Sequence, residues 1–255
     1  MIAKFFGFGA RKAPAQPTVP AGRRLYAIGD IHGRADLLRD LHGLILNDAA
    51  GAPAAHKSVI DIGDYVDRGI ESRQVIDMIL EGPLPGFDCI HLLGNHEKAM
   101  IDFLDDIEIG PDWLSFGGDA TLYSYGVGLN SGGDSEERFL ALQASLRQRL
   151  PPAHLEFLKS LKLMHVEDDY CFVHAGVRPG IKLERQREYD LLWIRDEFLM
   201  SSEDHGKVVV HGHSISRSPQ VRPNRIGIDT GAFATGRLTC LVLDGTSQNF
   251  LQTGG

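Results

Sequence analysis

Three apolar runs in the first hundred residues, RLYAIG (24–29), SVIDIG (58–63) and DCIHLLG (88–94), all end on glycine and all lead into helical patterns. The first of these is RADLLRDLHGLILNDAA (34–50), where Leu37, Leu38, Leu41, Leu44 and Ile45 recur at helical spacing. SRQVIDMIL (72–80) and EKAMIDFLDD (97–106) follow the other two strands. A βαβαβα order requires parallel strands joined by crossover helices, which places binding groups where the strands end. Further strand-like runs come late: LKLMHV (161–166), YCFVHAG (170–176), KVVVHGH (207–213), RIGIDTG (225–231) and LTCLVLD (238–244). They predict a second sheet packed on the first. Between the two groups, 105–135 is Gly-rich and reads as irregular, and helices are expected over 136–150 and 153–161.

Charge and length narrow the class. Of 26 basic residues, five (Lys4, Arg11, Lys12, Arg23 and Arg24) lie in the first 24 positions, which hold no acid. The remaining 21 face all 34 acidic residues, so the body repels phosphate backbones and no nucleic-acid partner is expected. No apolar run approaches the roughly 20 residues that span a bilayer. Residues 1–23 read as a basic tail without packed structure, with Phe5, Phe6 and Phe8 as a weak interfacial anchor in the sharper alternative. Residues 24–255 read as one domain. Cys89, Cys171 and Cys240 form no CxxC pair and are expected as buried thiols in a reducing, cytoplasmic setting.

The strand ends carry the chemistry. In order they read GDIHG (29–33), GDYVDRG (63–69), GNHE (94–97), HAG (174–176) and HGH (211–213). A lone GD or HAG is a turn, but five polar tips on five strands assemble Asp30, His32, Asp64, Asn95, His174 and His213. Asp30 and His32, two residues apart, would face the same way on an extended segment. Mixed carboxylate, imidazole and amide donors suit Mn, Fe or Zn better than an all-oxygen Mg or Ca cage, and a shared carboxylate can hold two ions about 3.5–4 Å apart.

GDIHG, GDYVDRG and GNHE at spacings of about 30 residues, with HAG, HGH and LLWIRD (191–196) behind them, resemble the phosphoprotein phosphatase family of serine/threonine protein phosphatases. That family lies within the calcineurin-like metallophosphoesterases. WLSFGGDATLYSYG (113–126) and IDTGAFATGRLT (228–239) resemble its compact prokaryotic members. The resemblance implies an α/β fold, an αββα sandwich of two mixed β-sheets flanked by helices. It implies two metal ions, Mn²⁺ first with Fe or Zn as alternatives: Asp30 and His32 on one, Asp64 bridging, and Asn95, His174 and His213 completing the second. His96 matches the general acid, Asp67 its carboxylate partner, and Arg68 and Arg195 the arginines that grip phosphate, with Asn95 and His96 beside it. Hydrolysis of phosphoserine and phosphothreonine in phosphorylated proteins, with phosphotyrosine as a further substrate, would follow by direct attack of a metal-bridging hydroxide. The alternative is a symmetrical diadenosine tetraphosphate hydrolase. That group shares the metal site and the IDTGA signature but lacks the aspartate of DRG, present here as Asp67. Glu97 is expected to support its helix start through the dipole, and Arg34 to be a solvated helix-start residue. Oligomeric state is left open.

Overall fold

The computed structural model describes residues 16–52, 54–129 and 135–254, so the expected basic tail lies outside it as far as residue 15. Residues just after that point lie against the body. Val19 is buried and its N–H donates to the Gly245 carbonyl at 2.9 Å, while the Thr18 N–H donates to Asp169 Oδ2 at 3.0 Å.

The strands are β1 (Arg23–Ile28), β2 (His56–Asp61), β3 (Asp88–His91), β4 (Met164–Glu167), β5 (Tyr170–Val173), β6 (Val208–His211), β7 (Gln220–Val221), β8 (Arg225–Gly227), β9 (Thr239–Asp244) and β10 (Ser247–Gln252). They form two five-stranded sheets, β10-β9-β1-β2-β3 and β4-β5-β6-β8-β7. In the first, β1, β2 and β3 are parallel and β9 and β10 antiparallel; in the second, β5, β6 and β8 are parallel. The helices are α1 (Ala35–Ala50), α2 (Ser72–Glu81), α3 (Asn95–Asp105), α4 (Gly110–Trp113), α5 (Asp119–Ser124), α6 (Ser135–Arg149), α7 (Pro152–Ser160), α8 (Glu188–Trp193), α9 (Asp196–Leu199) and α10 (Ala232–Thr235).

The alternation of side chains along each strand builds the layers. On β1, Tyr26 and Ile28 pack outward with Leu38, Leu41 and Ile45 of α1. Leu25 and Ala27 point the other way and meet Phe172, Val210 and Ile226 of the second sheet. On the far side, Cys171, Val173 and Val209 pack with Leu191 and Phe198 of α8 and α9. Strands apolar on both faces have to be covered on both faces, and each fully buried aliphatic side chain contributes about 1.5–3 kcal/mol. The result is the expected αββα sandwich.

Three expectations change. LTCLVLD does not join the second sheet: as β9 it returns to the first and lies antiparallel to β1, and an unanticipated β10 follows it. From residue 107 to 124 the Gly-rich middle is helical, running through a 3₁₀ turn (Ile107–Ile109), α4, a π-turn (Leu114–Gly118) and α5. Gly110, Gly117 and Gly118 in it serve close packing: a Cβ on Gly118 would lie 2.6 Å from the Trp113 ring. Cys89 is exposed, because β3 is the edge strand of its sheet, whereas Cys171 and Cys240 are buried.

Candidate metal centre

The polar tips meet where the parallel strands of both sheets end. The first two are joined through the backbone, with the Ile31 and His32 N–H groups donating to the Asp64 carbonyl at 3.0 and 2.8 Å. Asp30 and His32 do not lie on an extended segment as expected, since β1 stops at Ile28 and His32 has φ 48°. Among the described residues, six non-glycine residues have positive φ, and His32, Asp64, Asp67, Arg68 and His213 are five of them. Such conformations cost of order 1–3 kcal/mol each and persist where surroundings enforce them. At Asp64 the enforcing partner is Glu97. Its carboxylate, fully buried, accepts from the N–H groups of Asp64 (2.9 Å), Tyr65 (2.7 Å), Val66 (3.1 Å) and Gly94 (3.0 Å). Its reach therefore goes well beyond the helix-start dipole expected of it, because it also shapes the Asp64 loop.

Asp64 stands at the middle. Its Oδ2 lies 3.4 Å from Nε2 of His32, 3.4 Å from Nε2 of His174 and 3.9 Å from Nε2 of His96. Two clusters share it, His32/Asp64/His96 and Asp64/His174/His213, each with donor atoms within 4.8 Å of one another. Asp30 Oδ2 accepts from the His213 N–H at 3.0 Å, and Asn95 Oδ1 lies 2.8 Å from His174 Nε2. Backbone carbonyls aim two of the rings: Val66 O lies 2.8 Å from His32 Nδ1, and Ile62 O 3.0 Å from His174 Nδ1. Each Nε2 is thereby turned inward, as a ligating imidazole requires.

Three buried polar atoms here have no hydrogen-bond partner: Asp30 Oδ1, His32 Nε2 and His213 Nε2. Each would cost about 1–3 kcal/mol if left unsatisfied, and cations bound in the two clusters would satisfy them. Burial pushes the His32 imidazole down to about 3 and that of His213 to about 2, and lowers His174 as well, so all three are neutral and able to ligate. Burial also raises the Asp30 carboxyl, as do the Asp229 and Asp64 carboxylates beside it. Three buried carboxylates this close fit a site that holds positive charge. Asp229 was not anticipated. It follows β8 as part of IDTG, a strand-end tip of the same kind as the other five, and its Oδ1 accepts from the Gly231 N–H at 2.8 Å.

His96 of the first cluster is also paired with a second carboxylate. His96 Nδ1 is 2.7 Å from Asp67 Oδ2, which also accepts from Trp113 Nε1 at 3.0 Å, while Thr121 Oγ1 donates to Asp67 Oδ1 at 2.6 Å. Burial disfavours a charged His96, but the Asp64 and Asp67 carboxylates outweigh it and raise the imidazole above its ordinary value. The Arg68 Nη2 sits 3.2 Å from His96 Nε2, and its guanidinium lies 4.7 Å over the Phe233 ring. Arg195 is exposed at the N-cap of α9, close enough for its charge to add to the lowering of His174 and His213. All ten candidate residues are thus gathered at one place. The fully buried Trp113 and Thr121 were missed because they come from the segment read as irregular.

The family model for calcineurin-like phosphoesterases matches residues 23–235, and the chain belongs to that family. It is a hydrolase of the metallophosphoesterase class, whose members use a dinuclear metal centre, and the two clusters sharing Asp64 fit one. It is 28% identical over 227 residues to Serine/threonine-protein phosphatase 2 of Escherichia coli (strain K12), covering 85% of this chain and 91% of that protein. It is also 28% identical over 193 residues to a symmetrical bis(5'-nucleosyl)-tetraphosphatase of Nitrosomonas europaea, covering 74% of this chain and 59% of the relative. In fold it matches a yeast (Saccharomyces cerevisiae) protein serine/threonine phosphatase with a TM-score of 0.53 at 16% identity, over 95% of this chain and 82% of that one. Among the described residues no helix is long and apolar enough to cross a membrane.

Proposed function

We propose that this chain removes phosphate from phosphoserine and phosphothreonine in proteins, and from phosphotyrosine as a further substrate. The observation that carries the reading is the Asp67–His96 pair, buried, 2.7 Å apart, and fixed by Trp113 and Thr121. A serine or threonine alkoxide is a poor leaving group and needs a proton as the P–O bond breaks. Arg68 Nη2 now donates toward His96 Nε2 at 3.2 Å; with Arg68 turned to the phosphate, His96, its basicity raised by Asp64 and Asp67 against the pull of burial, would carry that proton on Nε2. A pyrophosphate leaving group is far less basic and gains little from such an acid. The similarity to the E. coli phosphatase over most of both chains supports the same side.

In this reading Asp30, His32, Asp64, Asn95, His174 and His213 hold two metal ions, Mn²⁺ first and Fe or Zn as alternatives. When bound, those ions would supply charge neutralisation and an activated water. Arg68 and Arg195 grip the phosphate oxygens with Asn95 and His96 alongside, and a planar guanidinium binds two oxygens at once. Phe233 keeps Arg68 aimed inward. The free, buried Cys171 and Cys240 suit a reducing cytoplasm.

The test is metal-depleted protein reloaded with Mn²⁺ and assayed on phosphoserine and phosphothreonine peptides beside a dinucleoside tetraphosphate. A kcat/KM at least tenfold higher on the peptides is expected. A tenfold preference for the dinucleotide overturns the proposal.

A further inference from the structure

A recess of about 670 Å³ lined by Arg178, Ile181, Arg185, Arg187, Tyr189 and Asp190 opens at the N-terminal end of α8. Arg178 is already neutralised there. It makes a paired contact with the Asp190 carboxylate (3.0 and 2.6 Å) and reaches Glu197 at 2.6 Å. Arg185 and Arg187 are exposed and, among the described residues, form no ion pair with a carboxylate. Glu188 turns the other way, to Lys98 at 3.7 Å. Two uncompensated guanidiniums therefore face the recess of a chain whose net charge is −8. The loop that presents them is built to stay in place. The Gln186 side chain accepts from the Arg178 N–H at 2.8 Å and donates to the carbonyls of Arg178 (3.0 Å) and Ile181 (2.8 Å).

Tyr189, 71% exposed, lines this recess and also a second one of about 430 Å³ that contains Phe116 and Trp193. The second recess adjoins the metal centre. Phe116 lies 6.1 Å from the His96 ring, and Trp193 6.1 Å from that of His213. One path thus runs from the leaving-group acid, across aromatic rings, to the two free arginines. The aromatic stretch also carries Asp102, Asp112 and Glu188 against a single Lys98 that is already engaged by Asp102, so a continuous polyanion is disfavoured along it.

Resting on the protein-phosphatase reading, we propose that Arg185 and Arg187 form a docking pocket for an acidic side chain, Asp or Glu, of the substrate protein. Between Arg187 and Arg195 lie the six residues of α8, about 9 Å at 1.5 Å per residue, and the single extended residue Ile194, about 3.3 Å more, roughly 12 Å in all. An extended peptide spans that in about three or four residues. The preferred substrate carries its phosphoresidue at the metals, apolar or neutral residues over Phe116, Trp193 and Tyr189, and an anionic side chain three or four positions away. A guanidinium pair suits carboxylate and phosphate geometry alike.

The experiment compares two sets of phosphothreonine peptides, bearing glutamate or glutamine three and four residues from the phosphate on either side, with nitrophenyl phosphate as the small control. The native protein should show a KM at least fivefold lower for a glutamate peptide than for its glutamine counterpart. Arg185→Glu/Arg187→Glu should bring the two within twofold while leaving turnover of nitrophenyl phosphate within twofold. Arg185→Gln/Arg187→Gln, with its gentler change, should lose most of the preference too. Equal KM values in the native protein, or a preference that survives both double variants, overturn the pocket while leaving the phosphatase reading standing. Rejection of all peptides with rapid cleavage of a dinucleoside tetraphosphate overturns both.

Discussion

Asp67 accepts from three side chains, and two of them, Trp113 and Thr121, lie 46 and 54 positions further along. Its pairing with His96 is legible in the sequence, because both stand in motifs that resemble a known family. The clamp around it is not, since tryptophan and threonine in a Gly-rich stretch carry no chemical signature. Asp67→Asn should lower kcat on a phosphoserine peptide by about 10²–10³, in line with the worth of general acid catalysis, and on nitrophenyl phosphate by less than about tenfold. Comparing the two substrates in one preparation checks it; equal losses would mean that the pair does not deliver a proton. Glu97→Gln puts an NH₂ group among four backbone donors that now share one carboxylate. A lower urea midpoint is expected, by about 2–4 kcal/mol in stability, together with weaker metal retention. An unchanged midpoint would count against its role in shaping the Asp64 loop.

The tips are readable because the glycines that make them are needed for contact with the side chains they carry. A Cβ on Gly94 would lie 2.2 Å from Asp64 Oδ1, and one on Gly212 would lie 1.9 Å from Asp30 Oδ1. Gly94 has φ −95°, a conformation open to any residue, so the constraint there is space alone. A Cβ there would also meet the Asp64 backbone nitrogen and Glu97 Oε2, so Gly94→Ala should lose stability clearly and bind markedly less Mn²⁺, read by urea midpoint and by metal analysis after dialysis; an unchanged midpoint with full metal content would show that the Asp64 loop is free to move aside. The elements misread are those whose glycines mean something else. Gly117, at φ 105°, lies inside helical turns against Arg68, and sequence pattern cannot tell such a packing glycine from a loop. LTCLVLD was placed in the wrong sheet for a related reason: apolar periodicity identifies a strand but says nothing of its neighbour.

The candidate ligands come from both sheets, with Asp30, His32, Asp64 and Asn95 following strands of the first and His174 and His213 following strands of the second. Bound ions would tie the halves together and neutralise carboxylates that otherwise repel. Dialysis against a chelator should lower the melting temperature by about 6–12 °C if the ions add about 3 kcal/mol, and Mn²⁺ should restore it. Calorimetry of apo and reloaded protein checks this, and identical curves would mean that the pocket is held open without cations. The placement of β9 has a consequence in time. β1 sits between β2 and β9, but the chain must be extended from Ile28 to Thr239 before that second neighbour exists. At about 5–20 residues per second, a ribosome leaves one edge of β1 bare for roughly ten to forty seconds. The newborn chain carries an apolar template open to any passing strand, and its safe completion depends on what shields that edge until the last segment arrives.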